Sequence, residues 1–415
     1  MPDRNVRKLI SCALGAIAWI ISPKTAVLLG EPLFYLLGMR KSAAGMSLRS
    51  VKNVLIVKLD EIGDTVLAIP FIKELRNNVP GARITLVVKP QVLNLMELCP
   101  YVDEVIAFDW NTSGVFGEYR RHWRALCLAI SKLWSRRFDL AIIPRWDSDH
   151  YHASFVSYFS GARWRVGYSE KVIEHKRIAN KGYDVLLTHA IEKSGSSHEI
   201  EHNLDILRFL GGSVRVPSLE LWLSNEDEVF ASKLLADYGI KDGDFLLGIC
   251  PTGGSSVLKQ WPMSNFIGLS AWAIEEYNAK IIIIGGPNDK PLSEEIAEKL
   301  GKKAVNACGE TTLRQMAALI KKCRVFVSND TGPMHIAAAV GIPVIALFGS
   351  SCPHRFGPVS ESSFIIQKEM DCNPCHGSIH KDRCSSCIYK KPECMVEISV
   401  NEVIRAVTEL SAISE

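Results

Sequence analysis

The sequence predicts an α/β protein made of two doubly wound domains that face each other across a cleft. Aliphatic runs of strand length alternate with longer segments of helical character, in two series that begin at residues 51 and 245. Repeated βα units build parallel sheets with right-handed crossovers. At 415 residues the chain is also too long for one ordinary hydrophobic core. Two domains account for both observations.

The first series predicts a domain over residues 51–240. Its opening run, VKNVLIVKL (51–59), has the β-branched and aliphatic composition of a buried strand. A loop and a helix over 60–78 follow, and Pro70 must kink or break that helix because proline lacks the N–H that a helix interior needs. Further strands are predicted at 83–88, 104–108, 139–144 and 165–168.

The second series predicts a domain over residues 241–400, reached through a polar connection within 211–244. Its apolar runs predict strands at 245–251, 280–286, 324–328 and 343–349, and helices at 264–277 and near 291–300. A C-terminal helix is expected over 401–415. In open α/β sheets ligands bind beyond the carboxyl ends of the strands, and the unusual loops of this sequence fall there.

The N-terminal segment, residues 1–50, differs in charge from the rest. Residues 1–52 carry a formal charge of +6, which leaves −3 for the remainder of a chain whose total is +3. A basic surface for nucleic acid is therefore not expected on the domains. The apolar runs at 9–21 and 26–38 are shorter than the ~20 residues that span a bilayer. Basic flanks suit helices in the headgroup layer of an anionic membrane; the alternative is a hydrophobic helix packed on the protein body.

Cysteine usage is typical of a cytosolic protein with one local cysteine site. Seven of the twelve cysteines are scattered singly, mostly in apolar surroundings. The other five are Cys372, Cys375, Cys384, Cys387 and Cys394. Their two C-x2-C pairs can supply four thiolates to a structural zinc. Reduced or partly disulfide-bonded thiols and an iron–sulfur cluster are the alternatives.

The stretch SNDTGPMHIAAAVGIPVIALFGS (328–350) places a polar loop between a strand and a short helix. Pro333 suits a first helical position, where its missing N–H costs nothing. Gly341 and Pro343 end the helix two turns later. The loop therefore lies at a helix N-terminus on the rim of the sheet.

This loop predicts a binding site for a phosphate-bearing ligand. Exposed N–H groups and the positive end of the helix dipole attract an anion, and Gly332 lets a phosphate approach the backbone. His335 adds a donor in the first turn. The alternative is that Asp330 or Thr331 merely caps the helix. A cap explains one side-chain oxygen, but it does not explain all four residues together.

Two further loops carry candidate site residues. Asp64, in KLDEIGDTVLAIP, is either a helix N-cap or a general base for a hydroxyl that the facing domain brings within reach. Lys259, in CPTGGSSVLKQWPMSNF, is either a surface lysine or a cation for a diphosphate. The N–H-rich turn before it contains Gly253, Gly254 and Ser255. The chain has neither a Walker A loop nor a G-x-G-x-x-G after a strand, which disfavours a dinucleotide oxidoreductase.

Together these loops resemble glycosyltransferase family 9, the ADP-heptose:lipopolysaccharide heptosyltransferases and their relatives. The matching pieces are VLIVKLDEIGDTVLAIPFIKEL, PTGGSSVLKQWP, IIIIGGPND and SNDTGPMHIAAAVGIPVIALFG, in family order over about residues 51–400. The resemblance implies a GT-B fold, with the acceptor bound by the N-terminal domain and the nucleotide sugar by the C-terminal domain. It also implies an inverting, metal-independent transfer.

On the acceptor side, the resemblance makes Asp64 the base that takes the proton of the acceptor hydroxyl. Arg145 and Asp147 follow the strand DLAIIP at the cleft edge, where we expect them to contact an anionic acceptor.

On the donor side, the resemblance directs Lys259 and Thr331 to the diphosphate and Asp330 to sugar hydroxyls. It also assigns Gly332 and His335 to the binding of the donor. Asp289, in GGPNDK, would lie beside the nucleoside.

We therefore expect an inverting glycosyltransferase on the cytoplasmic, inner face of the cytoplasmic membrane. It would move a sugar, such as heptose from ADP-heptose, to the lipopolysaccharide core or another lipid-linked glycan, and catalysis would need no cofactor. Two alternatives stay open: a nucleotide-sugar epimerase or hydrolase of the same fold, and a non-catalytic, metal-binding assembly protein at the membrane. The N-terminal segment and the cysteine cluster are departures from the best-known heptosyltransferases.

Overall fold

The computed structural model describes residues 22–39, 45–111, 117–195, 198–215, 218–254, 256–375 and 387–413. Within them the chain forms two parallel six-stranded sheets with helices on their faces. The two doubly wound domains predicted from the sequence are therefore confirmed.

The first sheet has the spatial order β3-β2-β1-β4-β5-β6. Its strands are β1 (Asn53–Lys58), β2 (Arg83–Val88), β3 (Glu104–Ala107), β4 (Leu140–Ile143), β5 (Trp164–Tyr168) and β6 (His189–Ile191). All neighbouring pairs are parallel. The order reverses between β1 and β4, so the crevice that doubly wound sheets offer to ligands lies beyond these two strands.

The second sheet repeats this arrangement, in the order β12-β11-β10-β7-β8-β9. Its strands are β7 (Leu246–Cys250), β8 (Lys280–Ile283), β9 (Ala304–Asn306), β10 (Val325–Asn329), β11 (Val344–Phe348) and β12 (Ser363–Gln367). Its neighbouring pairs are also parallel. The reversal here lies between β7 and β10.

Helices cover both sheets and precede the first. Those before α9 are α1 (Pro23–Leu36), α2 (Ile62–Val66), α3 (Ile69–Asn78), α4 (Pro90–Met96), α5 (Gly117–Leu128), α6 (Ala153–Phe159), α7 (Glu174–Ala179) and α8 (Glu199–Phe209). The others are α9 (Asn225–Asp237), α10 (Met263–Tyr277), α11 (Lys290–Leu300), α12 (Leu313–Lys321), α13 (Gly332–Ala339), α14 (Pro353–Phe356), α15 (Glu393–Val396) and α16 (Val400–Ile413). Helix α16 packs on α10, β10 and β11 of the second domain.

Local sequence signals located most of these elements. The strands expected from apolar runs are present, and the break expected at Pro70 is confirmed, since α2 ends at Val66 and α3 begins one residue before the proline. The strands β6, β9 and β12 were not predicted. All three lie at sheet edges and are largely half-exposed, so the burial that produces a continuous apolar run is absent.

The two domains meet through the short helices α2 and α13. A Cβ atom on Gly63 would lie 2.7 Å from His335 Cδ2, and one on Gly332 would lie 3.0 Å from Ile62 Cβ. The first distance is shorter than real Cβ contacts, and the second is tighter than most of them. Glycine at both positions therefore lets the two helices pack closely against each other.

The N-terminal segment is described from residue 22 to residue 39 and from residue 45 onward; residues 1–21 and 40–44 lie outside the described part of the chain. Helix α1 packs on the body through Phe34, which is buried and makes edge contacts with Trp134 and Tyr158 at centroid distances of 6.2 and 5.6 Å. Of the helices in the described residues, none has the length and apolar composition needed to cross a membrane.

Replacing Phe34 should detach α1 from the body. Phe34→Ala removes the buried ring that anchors the helix, and large-to-small changes of this kind cost about 3–5 kcal/mol in a well-packed site. We expect amide hydrogen exchange over residues 23–36 to accelerate strongly. Leu36→Ala is the matched control, because Leu36 is 81% exposed on the same helix. Equal exchange in the two variants would contradict the proposed anchor.

Candidate active site

Four loops that carry candidate residues meet at one cleft. They follow β1, β4, β7 and β10, the strands on either side of the two topological reversals. Carboxyl ends of parallel strands lie at the same sheet edge, so each pair of loops is brought together by the winding of the chain. The contact between α2 and α13 then places the two pairs opposite each other.

A buried asparagine holds the two loops of the second domain together. Asn329, at the end of β10, donates from Nδ2 to the carbonyl oxygens of Pro251 (2.9 Å) and Thr252 (3.2 Å). Its Oδ1 accepts from the backbone N–H of Trp261 at 3.1 Å. The side chain is fully buried, so these bonds fix the loop after β7 to the end of β10.

The loop after β7 supplies one positive charge to the cleft. Lys259 Nζ donates to Asp330 Oδ2 at 2.5 Å, and both side chains are largely buried. Burial opposes ionisation of Asp330, but the charge of Lys259 outweighs it and lowers the pKa of the carboxyl. Two residues that were both predicted to bind the sugar donor thus pair with each other in the structure. Gly253 and Gly254 form the turn before Lys259; Ser255 lies outside the described residues.

The N-terminus of α13 is not capped by a side chain. Thr331 occupies the N-cap position, yet its hydroxyl donates to the Asn329 carbonyl (3.3 Å) and makes no cap bond. Asp330 is engaged by Lys259. The alternative of a simple capping role is therefore not realised. Gly332 and Pro333 are the first two helical residues, and the positive end of the helix dipole faces the cleft beside Lys259.

His335, in the first turn of α13, is buried and lies against Gly63 of the first domain. Burial lowers the pKa of its imidazole to about 4, so the ring is neutral at pH 7. Its Nδ1 and the Oγ of Ser350 are buried polar atoms for which the described residues provide no hydrogen-bond partner. Native proteins rarely leave such groups unpaired, which is consistent with a polar ligand at this edge of the second sheet.

Asp64 lies in the first turn of α2, opposite this loop. The N-cap position of α2 is held by Glu61, so Asp64 is not the cap. No hydrogen bond from the described residues reaches the half-buried Asp64 carboxylate. Loss of hydration, followed by the negative charge of Glu199, raises its pKa to about 6. The carboxylate is mostly ionised at pH 7 and more basic than an ordinary aspartate, as a general base requires.

The floor of the first domain contains paired charges next to Asp64. Lys58 and Asp60 are buried and form an ion pair of 2.9 Å, and Asp60 also pairs with Arg145 from the loop after β4. Burial lowers the pKa of Lys58 to about 8. Arg145, which we expected at the acceptor edge, is itself buried, and its guanidinium lies 5.0 Å from the centre of the Tyr151 ring.

Asp147 belongs to an ion cluster that crosses between the domains. It accepts from His175 of its own domain and pairs with Arg355 of the second domain at 3.3 Å. Burial opposes its ionisation, but the bond to His175 and the charge of Arg355 hold its pKa well below the usual range. Arg355 also pairs with Glu199, the first residue of α8, at 3.3 Å.

Sequence reasoning missed several residues of this site. Lys58 and Asp60 lie in the same KLDEIGD stretch as Asp64. Opposite charges at the end of a buried strand could have predicted their ion pair. Arg355 lies 156 residues from its partner Glu199, and no local pattern announces such a pair. Through this pair Glu199, at the start of α8, contacts the second domain.

Asp289 and the cysteine cluster, which were also predicted as site residues, make their contacts outside the cleft. Asp289 Oδ2 accepts from the Gly286 N–H at 2.7 Å and closes a turn after β8. Cys394 is buried, and burial together with neighbouring thiols raises its pKa to about 11. Those neighbours are Cys375, Cys372 and Cys387.

Cys384 lies outside the described residues. In the part of the chain that the structure describes, no three His, Cys, Asp or Glu side chains are grouped to hold a metal. The structural zinc stays a prediction.

Known proteins match both the sequence and the fold. A family model described as glycosyltransferase family 9 (heptosyltransferase) matches residues 128–384. The lipopolysaccharide core heptosyltransferase OpsX of Haemophilus influenzae is 24% identical over 319 residues, which cover 76% of this chain and 84% of that protein.

Two solved structures show the same architecture. A glycosyl transferase family 9 protein of Veillonella parvula superposes with a TM-score of 0.71 at 24% identity, covering 88% of this chain and 99% of that one. The Escherichia coli ADP-heptose lipopolysaccharide heptosyltransferase II gives 0.67 at 19% identity, covering 87% and 99%. The GT-B type of fold expected from the resemblance is confirmed.

Removing the buried asparagine should destabilise the second domain. Asn329→Ala leaves two carbonyl oxygens and one N–H without their hydrogen bonds to this side chain. Each buried group left unpaired costs about 1–3 kcal/mol. Urea denaturation should show a lower free energy of unfolding. Asn288→Ala, at an exposed position, is the matched control and should stay within about 0.5 kcal/mol of the parent. A loss no larger than the control's would mean that these bonds do not hold the loops.

Proposed function

Because this chain belongs to glycosyltransferase family 9, we propose that it transfers a heptosyl residue from an ADP-activated donor to a lipopolysaccharide core or another lipid-linked glycan. One observation carries the proposal. Asp64, a carboxylate of raised pKa to which no described residue donates a hydrogen bond, lies on α2, the helix that packs against the first turn of α13 through Ile62 and Gly63. Transfer from a nucleotide sugar needs a base for the acceptor hydroxyl and, across the cleft, an anion site for the donor diphosphate. Relatives named as ADP-heptose-dependent support the choice of donor.

The donor diphosphate would lie between Lys259 and the first turn of α13. The N–H of Gly332, the hydroxyl of Thr331 and the ammonium of Lys259 are the nearby donors, and Asp330 orients the lysine through its 2.5 Å bond. Charge develops on the diphosphate as it leaves. Donors already in position stabilise that charge without reorganising. The second carboxylate oxygen of Asp330 would accept from sugar hydroxyls.

The transfer would be a single displacement. Asp64 takes the proton of the acceptor hydroxyl while the oxygen attacks the anomeric carbon from the face opposite the diphosphate. The new C–O bond forms as the bond to the diphosphate oxygen breaks, and that oxygen keeps the electron pair. Configuration at the anomeric carbon inverts. Since Lys259 and the helix dipole supply positive charge, we propose that catalysis needs no metal.

The acceptor would bind on the first domain, near Asp64 and the loop after β4. Lys58 and Arg145 lie beneath this side of the cleft and share Asp60 as their buried counter-ion. We place the enzyme in the cytoplasm, on the inner face of the cytoplasmic membrane, where a lipid-linked acceptor is available.

Replacing the base should abolish transfer while sparing the donor site. Asp64→Ala is expected to lower kcat by several orders of magnitude, whereas the Kd of ADP-heptose, measured by calorimetry, should change little. Asp242→Asn, an exposed surface aspartate, is the control. The same assay with EDTA tests the proposed independence from metal. Full turnover in Asp64→Ala would remove this residue as the base.

The pH dependence should report the environment of Asp64. A base must be deprotonated, so kcat/KM should fall as pH drops through the Asp64 pKa of about 6. Glu199 raises this pKa; Glu199→Gln removes the charge and keeps an acceptor for Arg355. The acid limb of the profile should therefore move to lower pH. A limb that stays in place, or moves to higher pH, would contradict the assigned coupling.

A further inference from the structure

An apolar groove runs between α1 and the helices α5 and α6 of the first domain. Its volume is about 250 Å³, larger than the ~150 Å³ cavities that accept a benzene-sized molecule. The lining includes Leu29, Leu33, Trp123, Leu126, Trp134 and Phe159. The groove is therefore wide enough for an apolar ligand and offers almost no polar group to water.

The rim of the groove exposes large apolar side chains. Leu29 is 67% exposed, Leu36 is 81% exposed and Trp123 on α5 is 56% exposed. Leu29, Leu33 and Leu36 are spaced three and four residues apart, so they form one stripe along α1. Single exposed apolar residues are ordinary, but a contiguous set beside an apolar groove marks an interaction surface.

Positive charge borders this apolar surface. Lys24 and Lys132 are exposed, and Arg137 donates to the Leu37 carbonyl oxygen at 2.9 Å, which places it at the end of α1. Helix α1 carries one acidic residue, Glu31, which lies 3.7 Å from Arg165. In the sequence, further basic residues stand on both sides of α1: Arg4, Arg7, Lys8, Arg40 and Lys41. An apolar stripe with a cationic border complements an anionic lipid surface.

The groove is connected to the catalytic cleft. His122 lines it and lies 3.0 Å from the ring nitrogen of His152, the residue that precedes α6. The neighbouring Tyr151 donates its hydroxyl to Glu61 at 2.7 Å. Glu61 stands three residues before Asp64. A short chain of contacts thus links the apolar groove to the loop that carries Asp64.

We propose that this surface, formed by the exposed stripe of α1 together with Trp123, docks on an anionic lipid bilayer and that the groove takes an acyl chain of a membrane lipid. Docking here would hold the acceptor half of the cleft beside the membrane. The link to a lipid-linked acceptor rests on the proposed function, but bilayer docking itself is tested without donor or acceptor.

Vesicle binding provides the test. The full-length protein should sediment with vesicles containing phosphatidylglycerol and at least tenfold less with phosphatidylcholine alone. Leu29→Glu/Leu33→Glu should lower partitioning at least tenfold. Val229→Glu/Tyr238→Glu is the matched control, with two charges added at positions 57% and 55% exposed on and after α9, and it should bind like the parent. Thermal unfolding checks that both variants are folded.

Trp123 reports directly on the groove. Lipids brominated in the acyl chain should quench the parent's fluorescence, and Trp123→Phe should lose a large part of that quenching. Failure to bind vesicles would overturn the proposal, as would equal binding by both glutamate variants. Absent quenching would overturn the entry of an acyl chain into the groove. It would indicate that a second copy of the protein, or residues 1–21, covers the groove instead. Loss of docking with intact transfer to a soluble acceptor would leave the proposed function standing.

Discussion

The contact between α2 and α13 is the constraint on which the site depends. Each helix begins at the carboxyl end of a central strand, one in each domain, and each contributes a glycine where the other approaches. A Cβ at Gly63 would lie too close to His335, and one at Gly332 would crowd Ile62. The absence of a Cβ at these two positions therefore lets α2, which carries Asp64, pack closely against the N-terminus of α13.

Charge pairing explains why Asp64 differs from its neighbours. Buried ions are costly unless they are paired and hydrogen-bonded, and Lys58, Asp60, Arg145 and Asp147 all have opposite charges in contact. Asp64 shares the low hydration of this region without such a contact. Its pKa therefore rises, whereas that of Asp147 falls. Paired carboxylates such as Asp147 therefore lie near a carboxylate, Asp64, that takes up a proton more readily.

The local sequence predicted the fold and the loops with the candidate site residues, because burial and backbone chemistry leave local patterns in a sequence. Aliphatic runs marked the central strands, Pro70 marked a helix break, and the polar residues around Asp330 marked a loop at a strand end. Edge strands such as β9 lacked burial, and so lacked a signal. The pairing of Arg355 with Glu199 arises only when two domains fold against each other. The capping alternatives for Asp64 and Thr331 also required coordinates, since a cap is defined by which N–H an oxygen reaches.

The proposed mechanism requires the donor diphosphate to rest on the N-terminus of α13, within reach of Asp64 on α2. A crystal structure with a bound ADP-sugar would show where the diphosphate lies. A diphosphate oxygen should lie about 2.7–3.2 Å from the Gly332 N–H and from Lys259 Nζ, with the anomeric carbon turned toward Asp64. A diphosphate bound elsewhere, with the α13 terminus facing only solvent, would contradict the account.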